Sequence, residues 1–109
     1  MHVIVEIVVE STDRPKVGTP IRVEARDTTL QDVAAETIGS ATCHVRGELG
    51  TWLETVELTL DRRPGDTTIW AHADVNQNGR VSAGDYVTMS NFPVPKHDNG
   101  RVTVVLRKV

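Results

Sequence analysis

An all-β domain, a two-sheet antiparallel β-sandwich of about seven strands, is what this chain is expected to form, and three observations lead there. Apolar residues recur with a period of two along most of its length. Gly and Pro interrupt it at intervals suited to short strands. No stretch holds a period near 3.6 long enough for a substantial helix. With 109 residues the chain suits one domain, residues 1–109, which removes about two-thirds of its extended surface from water on folding.

In the first strand Val3, Val5, Ile7 and Val9 share a face and Glu6 and Glu10 lie opposite, while Ile4 and Val8 indicate partial cover on both sides. A polar connection runs from Ser11 to Pro20. From Ile21 to Arg26 apolar and charged residues alternate without exception, so this is the cleanest strand. Between Thr28 and Glu36 the residues Leu30, Val33 and Ala34 line one side of a single turn at most, and the stretch reads as an irregular crossover. A third strand covers Thr37 to Val45, weakened by Gly39.

In the fourth strand, Trp52 to Leu60, the residues Trp52, Val56, Leu58 and Leu60 fall on the core face, with Glu54 as the odd member near a rim. The run Arg62-Arg63-Pro64-Gly65-Asp66 has turn chemistry and is expected to close a hairpin. Its return strand, Thr67 to Val75, sends Ile69, Ala71, Ala73 and Val75 one way and Trp70, His72 and Asp74 the other. A sixth strand spans Asp85 to Ser90. Phe92 to Lys96 is extended but limited in ladder donors by its prolines, and Asn99-Gly100 marks a turn. The closing strand, Arg101 to Lys108, aligns Val102, Val104 and Leu106.

Hydrophobic content of 39% with 25% charged residues of mixed sign is that of a soluble globular domain. Twelve basic against fifteen acidic residues, with the arginines scattered, argue against a nucleic-acid-binding face. No apolar run reaches the length of a membrane span. The N-terminus lacks a basic leader and a cleavage site, so no signal peptide is expected, and the compartment stays open between cytoplasm and an exported mature domain. Cys43 is alone, which precludes an intrachain disulfide, and it is expected to act as a small buried hydrophobe.

The segment from Asp74 to Asp85 carries the most specific signal. Oxygen-bearing side chains fall at loop positions 1, 3, 5, 9 and 12 and glycine at 6, the spacing by which a chain curls around a hard cation. In that reading calcium is the cofactor. Asp74 supplies a carboxylate, Asn76 and Asn78 supply side-chain carbonyls, Arg80 its backbone oxygen, Ser82 a direct or water-mediated ligand, and Asp85 the closing carboxylate, with Gly79 at the bend. Two carboxylates imply weak binding, with a dissociation constant on the order of 10⁻⁴ to 10⁻³ M, and a structural role for the ion. The competing reading is a plain hairpin connection in which Asn78-Gly79 makes the tight turn and Asp74 and Asn76 bond to backbone amides. These residues resemble the calcium loops of dockerin modules. Those carry the motif twice, each followed by a helix, whereas here it occurs once and Tyr86 to Ser90 looks like a strand, so a dockerin fold is not expected.

No catalytic constellation is found. His2, His44, His72 and His97 are widely spaced, and no nucleophile elbow or glycine-rich phosphate cradle is present. His72 shares a strand face with Trp70 and Asp74, so Trp70 and His72 are the candidates for a small-ligand pocket. A solvent-facing state is the ordinary one for such a histidine. Trp52 is placed in the core and Trp70 at the surface.

The run from Ile21 to Ile38, in which an alternating strand leads into Asp27-Thr28-Thr29 and then Asp32 and Val33, resembles the β-sandwich domain of YbaY-like lipoproteins, related to type III secretion pilotins. The resemblance implies a sandwich fold and a chaperone or assembly role with a protein partner. No lipidation cysteine follows a leader here, and the Asp74 to Asp85 loop is additional to the family's pattern. The combined expectation is a non-enzymatic, calcium-stabilised binding or accessory module of undetermined oligomeric state. The alternatives are a ligand binder or enzyme with its pocket at Trp70 and His72, and a metal-free structural domain.

Overall fold

The computed structural model describes residues 1–11, 13–29 and 34–109, and the apolar positions Leu30 and Val33 of the expected crossover, like Asp32, lie outside them. Among the described residues there are seven strands and no helix: β1 His2–Val9, β2 Pro20–Asp27, β3 Glu36–His44, β4 Trp52–Thr59, β5 Thr67–Ala73, β6 Tyr86–Thr88 and β7 Gly100–Lys108. The all-β class and the strand positions are as the period-two pattern predicts.

Pairing is where the expectation of two separate antiparallel sheets gives way. The strands form one continuous mixed sheet in the order β3-β2-β5-β6-β7-β1-β4, and β1 runs parallel to β7 from Val3↔Gly100 to Val9↔Leu106. The three-residue β6 joins two three-stranded halves, touching β5 at His72↔Val87 and Ala73↔Tyr86 and β7 from Tyr86↔Lys108 to Thr88↔Leu106. The sheet folds over so that its edges meet. The Asp61 amide donates to the Ile38 carbonyl at 2.7 Å and the Arg46 amide to the Leu53 carbonyl at 2.9 Å, which nearly closes a barrel. Alternation alone cannot distinguish this from a sandwich, because each strand still has one face to bury.

That buried face is continuous through both halves. Val3, Val5 and Ile7 of β1, Ile21 and Val23 of β2, Leu58 of β4 and Ala71 of β5 are fully buried in a single cluster. Ala25, Ala71 and Ala73 on the adjacent β2 and β5 add small side chains to the same cluster.

Two local expectations are corrected. The turn at Arg62 to Asp66 does not make a hairpin: β4 pairs with β1 at one edge of the sheet, while β5 pairs with β2. The turn instead carries the chain between halves, held by Thr28 N–H to the Asp66 carbonyl and by Arg62 bridging Asp27 and Glu36. Trp52 is 39% exposed rather than in the core. A bulge between Ile7 and Val8, opposite Glu54 and Trp52, turns Leu53 inward and Trp52 out, which strict alternation does not anticipate. Glu54 holds its rim position beside Arg46 at 3.7 Å. Cys43 is half-buried, and burial with the nearby Glu54 charge pushes its thiol up to about 11, so it is a poor nucleophile.

The crossing turn gives an acid-sensitivity prediction. Hydrogen bonds from the Thr29 hydroxyl and amide, and from Arg62, hold the Asp27 carboxyl at about 2, below its ordinary 3.8. A depressed folded-state value stabilises the fold above pH 3.8, and that contribution is lost as pH falls through about 2. Thermal melts followed by circular dichroism between pH 5 and 2 should therefore drop across this window, and the drop should be shallower in Asp27→Asn.

Candidate functional site

Residues 74–85 connect β5 to β6 and lie against the end of β7. The loop's neck is tied at several points. The Asp74 amide donates to the Pro20 carbonyl at 2.9 Å, the Val109 amide to the Asp85 carbonyl at 2.8 Å, and the Gly84 amide to the Val109 carbonyl at 3.3 Å. Gln77 and Gly79 take left-handed φ values of 56° and 76°, and these make the bend.

Inside the bend the side chains organise their own backbone. Asp74 Oδ2 accepts from the Gly79 amide at 2.7 Å, Asn76 Oδ1 from the Asn78 amide at 3.3 Å, and Asn78 Oδ1 from the Arg80 amide at 2.9 Å. Ser82 Oγ receives the side-chain amides of Asn76 and Asn78 at 3.0 and 3.4 Å. The six residues named from the spacing are thus brought onto one compact loop. Each of the Asn carbonyls keeps a second lone pair beyond the amide it serves.

Asp85 is the anchor. It is fully buried, its Oδ1 accepts from the Val75 amide at 2.9 Å, and its Oδ2 accepts from the Ser82 amide at 3.1 Å, the Ser82 hydroxyl at 3.3 Å and His72 Nε2 at 2.9 Å. Burial alone would raise this carboxyl, but the His72, Val75 and Ser82 hydrogen bonds outweigh it and hold it below the ordinary carboxylate value. Three of the four contacts crowd Oδ2, while Oδ1 serves the Val75 amide alone and keeps a second lone pair that a cation could use.

His72 is corrected from a solvent-facing residue to a buried one, 4% exposed beneath the loop. Its place on the outer face of β5 was legible, but the cover that the twelve-residue loop provides was not. The Ser82 hydroxyl donates to the Asp85 carboxylate and not to His72, so the order of contacts differs from that of a Ser-His-Asp relay, in which the imidazole takes the hydroxyl proton.

One atom in the cluster has no partner. Asp74 Oδ1 is buried and makes no hydrogen bond, and ligand atoms of His72, Asp74 and Asp85 all lie within 4.8 Å of one another. An ionised oxygen in that state carries a desolvation cost that a cation would offset. The oxygen-rich set fits a hard ion. His72, a softer ligand already committed to Asp85, fits as the group that orients that carboxylate.

Beside the loop lies a cavity of about 370 Å³ lined by Pro20, Arg22, Glu24, Thr42, Trp70, His72, Asp74 and Gly79. The Trp70 and His72 pair marked in the sequence is therefore at one site, with ring centroids 5.7 Å apart. Arg22, Glu24 and Thr42 were missed. Alternation puts Arg22 and Glu24 on the outer face, but that β2 lies between β3 and β5 is a fact of tertiary pairing.

No protein-family model matches the chain, and no curated protein matches it in sequence at a significant level. Among solved structures, the chain is similar to an alternative pilotin from the type II secretion system of Vibrio cholerae, with a TM-score of 0.69, 15% identity, and coverage of 100% of this chain and 96% of that one. No helix among the described residues is long and apolar enough to cross a membrane. The chain therefore has a pilotin-like fold along its whole length.

Proposed function

We propose that this chain is a non-enzymatic accessory module that binds a protein partner and assists assembly of a secretion apparatus, and that one calcium ion at the Asp74 to Asp85 loop stabilises it. The observation that carries the assembly role is the likeness in fold to a secretion pilotin, which spans 100% of this chain and 96% of that one. Tagged protein expressed in its source cells should co-purify with a component of a secretion system, and deleting the chain should lower export through that system. Unchanged export in the deletion strain would overturn the role.

The calcium part rests on the orphaned, buried Asp74 Oδ1 within an oxygen-rich twelve-residue loop. When bound, the ion would supply the positive charge that this oxygen lacks. Asp74, Asn76 and Asn78 would hold it with side-chain oxygens, Arg80 with its carbonyl and Ser82 directly or through water. Asp85, oriented by His72, would close the site with its carboxylate. With a dissociation constant of about 10⁻⁴ to 10⁻³ M, ion at about 10 mM stabilises the fold by roughly 1.4–2.7 kcal/mol. Calcium should raise the melting temperature by several degrees, magnesium less, and Asp74→Asn should remove the effect. A melting temperature unmoved by calcium in the wild type would dismiss the ion.

A further inference from the structure

We infer that the cavity between the outer face of β2 and β5 and the Asp74 to Asp85 loop is a binding site for a neutral saccharide, a hexopyranose unit seated against Trp70. The inference depends neither on the assembly role nor on the calcium ion.

The volume, about 370 Å³, lies within the range of small-molecule sites, roughly 300–1,000 Å³. Trp70 is the aromatic wall. Its ring carries the Arg26 guanidinium 4.1 Å from the centroid, but Arg26 lines a neighbouring cavity together with Thr68 and Met89 and takes no part in lining this one. The indole is thus held by Arg26 on one side and lines this cavity beside the tilted His72 ring. The aliphatic C–H face of a pyranose suits the electron-rich face of such a ring, while its hydroxyls require donors and acceptors around the edge.

The edge supplies both. Arg22 uses two of its five N–H donors on Glu24 Oε2 at 3.3 Å and Thr42 Oγ1 at 3.4 Å, which fixes the fork and leaves donors for a ligand. Glu24 and Thr42 offer oxygens. Glu24 and Asp74 disfavour an anionic ligand, and Arg22 disfavours a cationic one. An uncharged ring rich in hydroxyls is the chemistry that meets an aromatic wall and a mixed-sign rim without leaving a charge unpaired.

The two tryptophans make the test internal, because Trp52 lies on another strand with its Nε1 bonded to Thr55 Oγ1 at 3.0 Å. Nitrogen-15 spectra of the indole N–H signals would be recorded in EDTA while methyl β-glucoside, methyl β-galactoside or N-acetylglucosamine is added to on the order of 100 mM, with benzoate as a flat anionic control. The Trp70 signal should shift saturably with at least one sugar at millimolar dissociation constant while Trp52 stays fixed. Arg22→Ala, an exposed change that keeps the core intact, should weaken binding about tenfold, and Trp70→Leu should abolish it where that variant folds. No shift of Trp70 with any sugar, equal shifts of both tryptophans, or a response to benzoate alone would each overturn the proposal.

Discussion

Asp85→Ala is expected to destabilise the protein by about 3–5 kcal/mol, enough to lower its melting temperature by more than about 10 °C. The side chain is fully buried and serves four donors from three residues, His72, Val75 and Ser82. Removing it leaves the buried His72 imidazole and two part-buried backbone amides without acceptors, and each donor orphaned away from water costs about 1–3 kcal/mol. Asp85→Asn keeps the shape and one acceptor and should lose less. Urea unfolding would measure this as a shift of midpoint at constant slope. A loss below about 1 kcal/mol would mean that the loop's neck is held by its backbone bonds to Pro20 and Val109 rather than by the carboxylate.

Ile7→Ala is expected to cost about 3–5 kcal/mol as well, for an apolar reason. Ile7 is fully buried on β1, the central strand of the β7-β1-β4 half, and belongs to the single core cluster that both halves share, so a cavity there opens in the shared core. Ile4, half-buried on the opposite face of the same strand, should cost far less on truncation. Equal losses at the two positions would show that the faces of β1 are not distinguished as the core cluster requires. Both variants can be measured in the same urea series.

Much of the fold was legible because a strand's period is set by local geometry. The inward positions Val3, Val5, Ile7, Ile21, Val23, Ile69 and Ala71 follow from alternation alone, and each is buried. Trp52 broke the rule because a bulge adds one residue, and nothing in the residues around Leu53 distinguishes a bulge from a regular strand. The turn at Pro64-Gly65 was recognisable as a turn, yet turn chemistry fixes the bend and not the partner, so β4 and β5 were wrongly paired. At the site, the spacing from Asp74 to Asp85 identified the loop and the positions of its oxygens. It did not reveal that Asp85 points beneath the loop toward His72, because that contact spans thirteen residues and depends on the loop lying over the outer face of β5.

From the residues alone came the strands, their buried faces, the acceptor spacing of the loop and the pairing of Trp70 with His72 on one face, all properties of neighbours in the chain. The folded chain decided which strands meet, that β1 and β7 run parallel, that Asp74 Oδ1 is left without a partner, and that Arg22, Glu24 and Thr42 close a cavity around Trp70. Those depend on contacts between residues far apart in sequence, whose free energies come from burial shared across the whole sheet, and no local pattern encodes them.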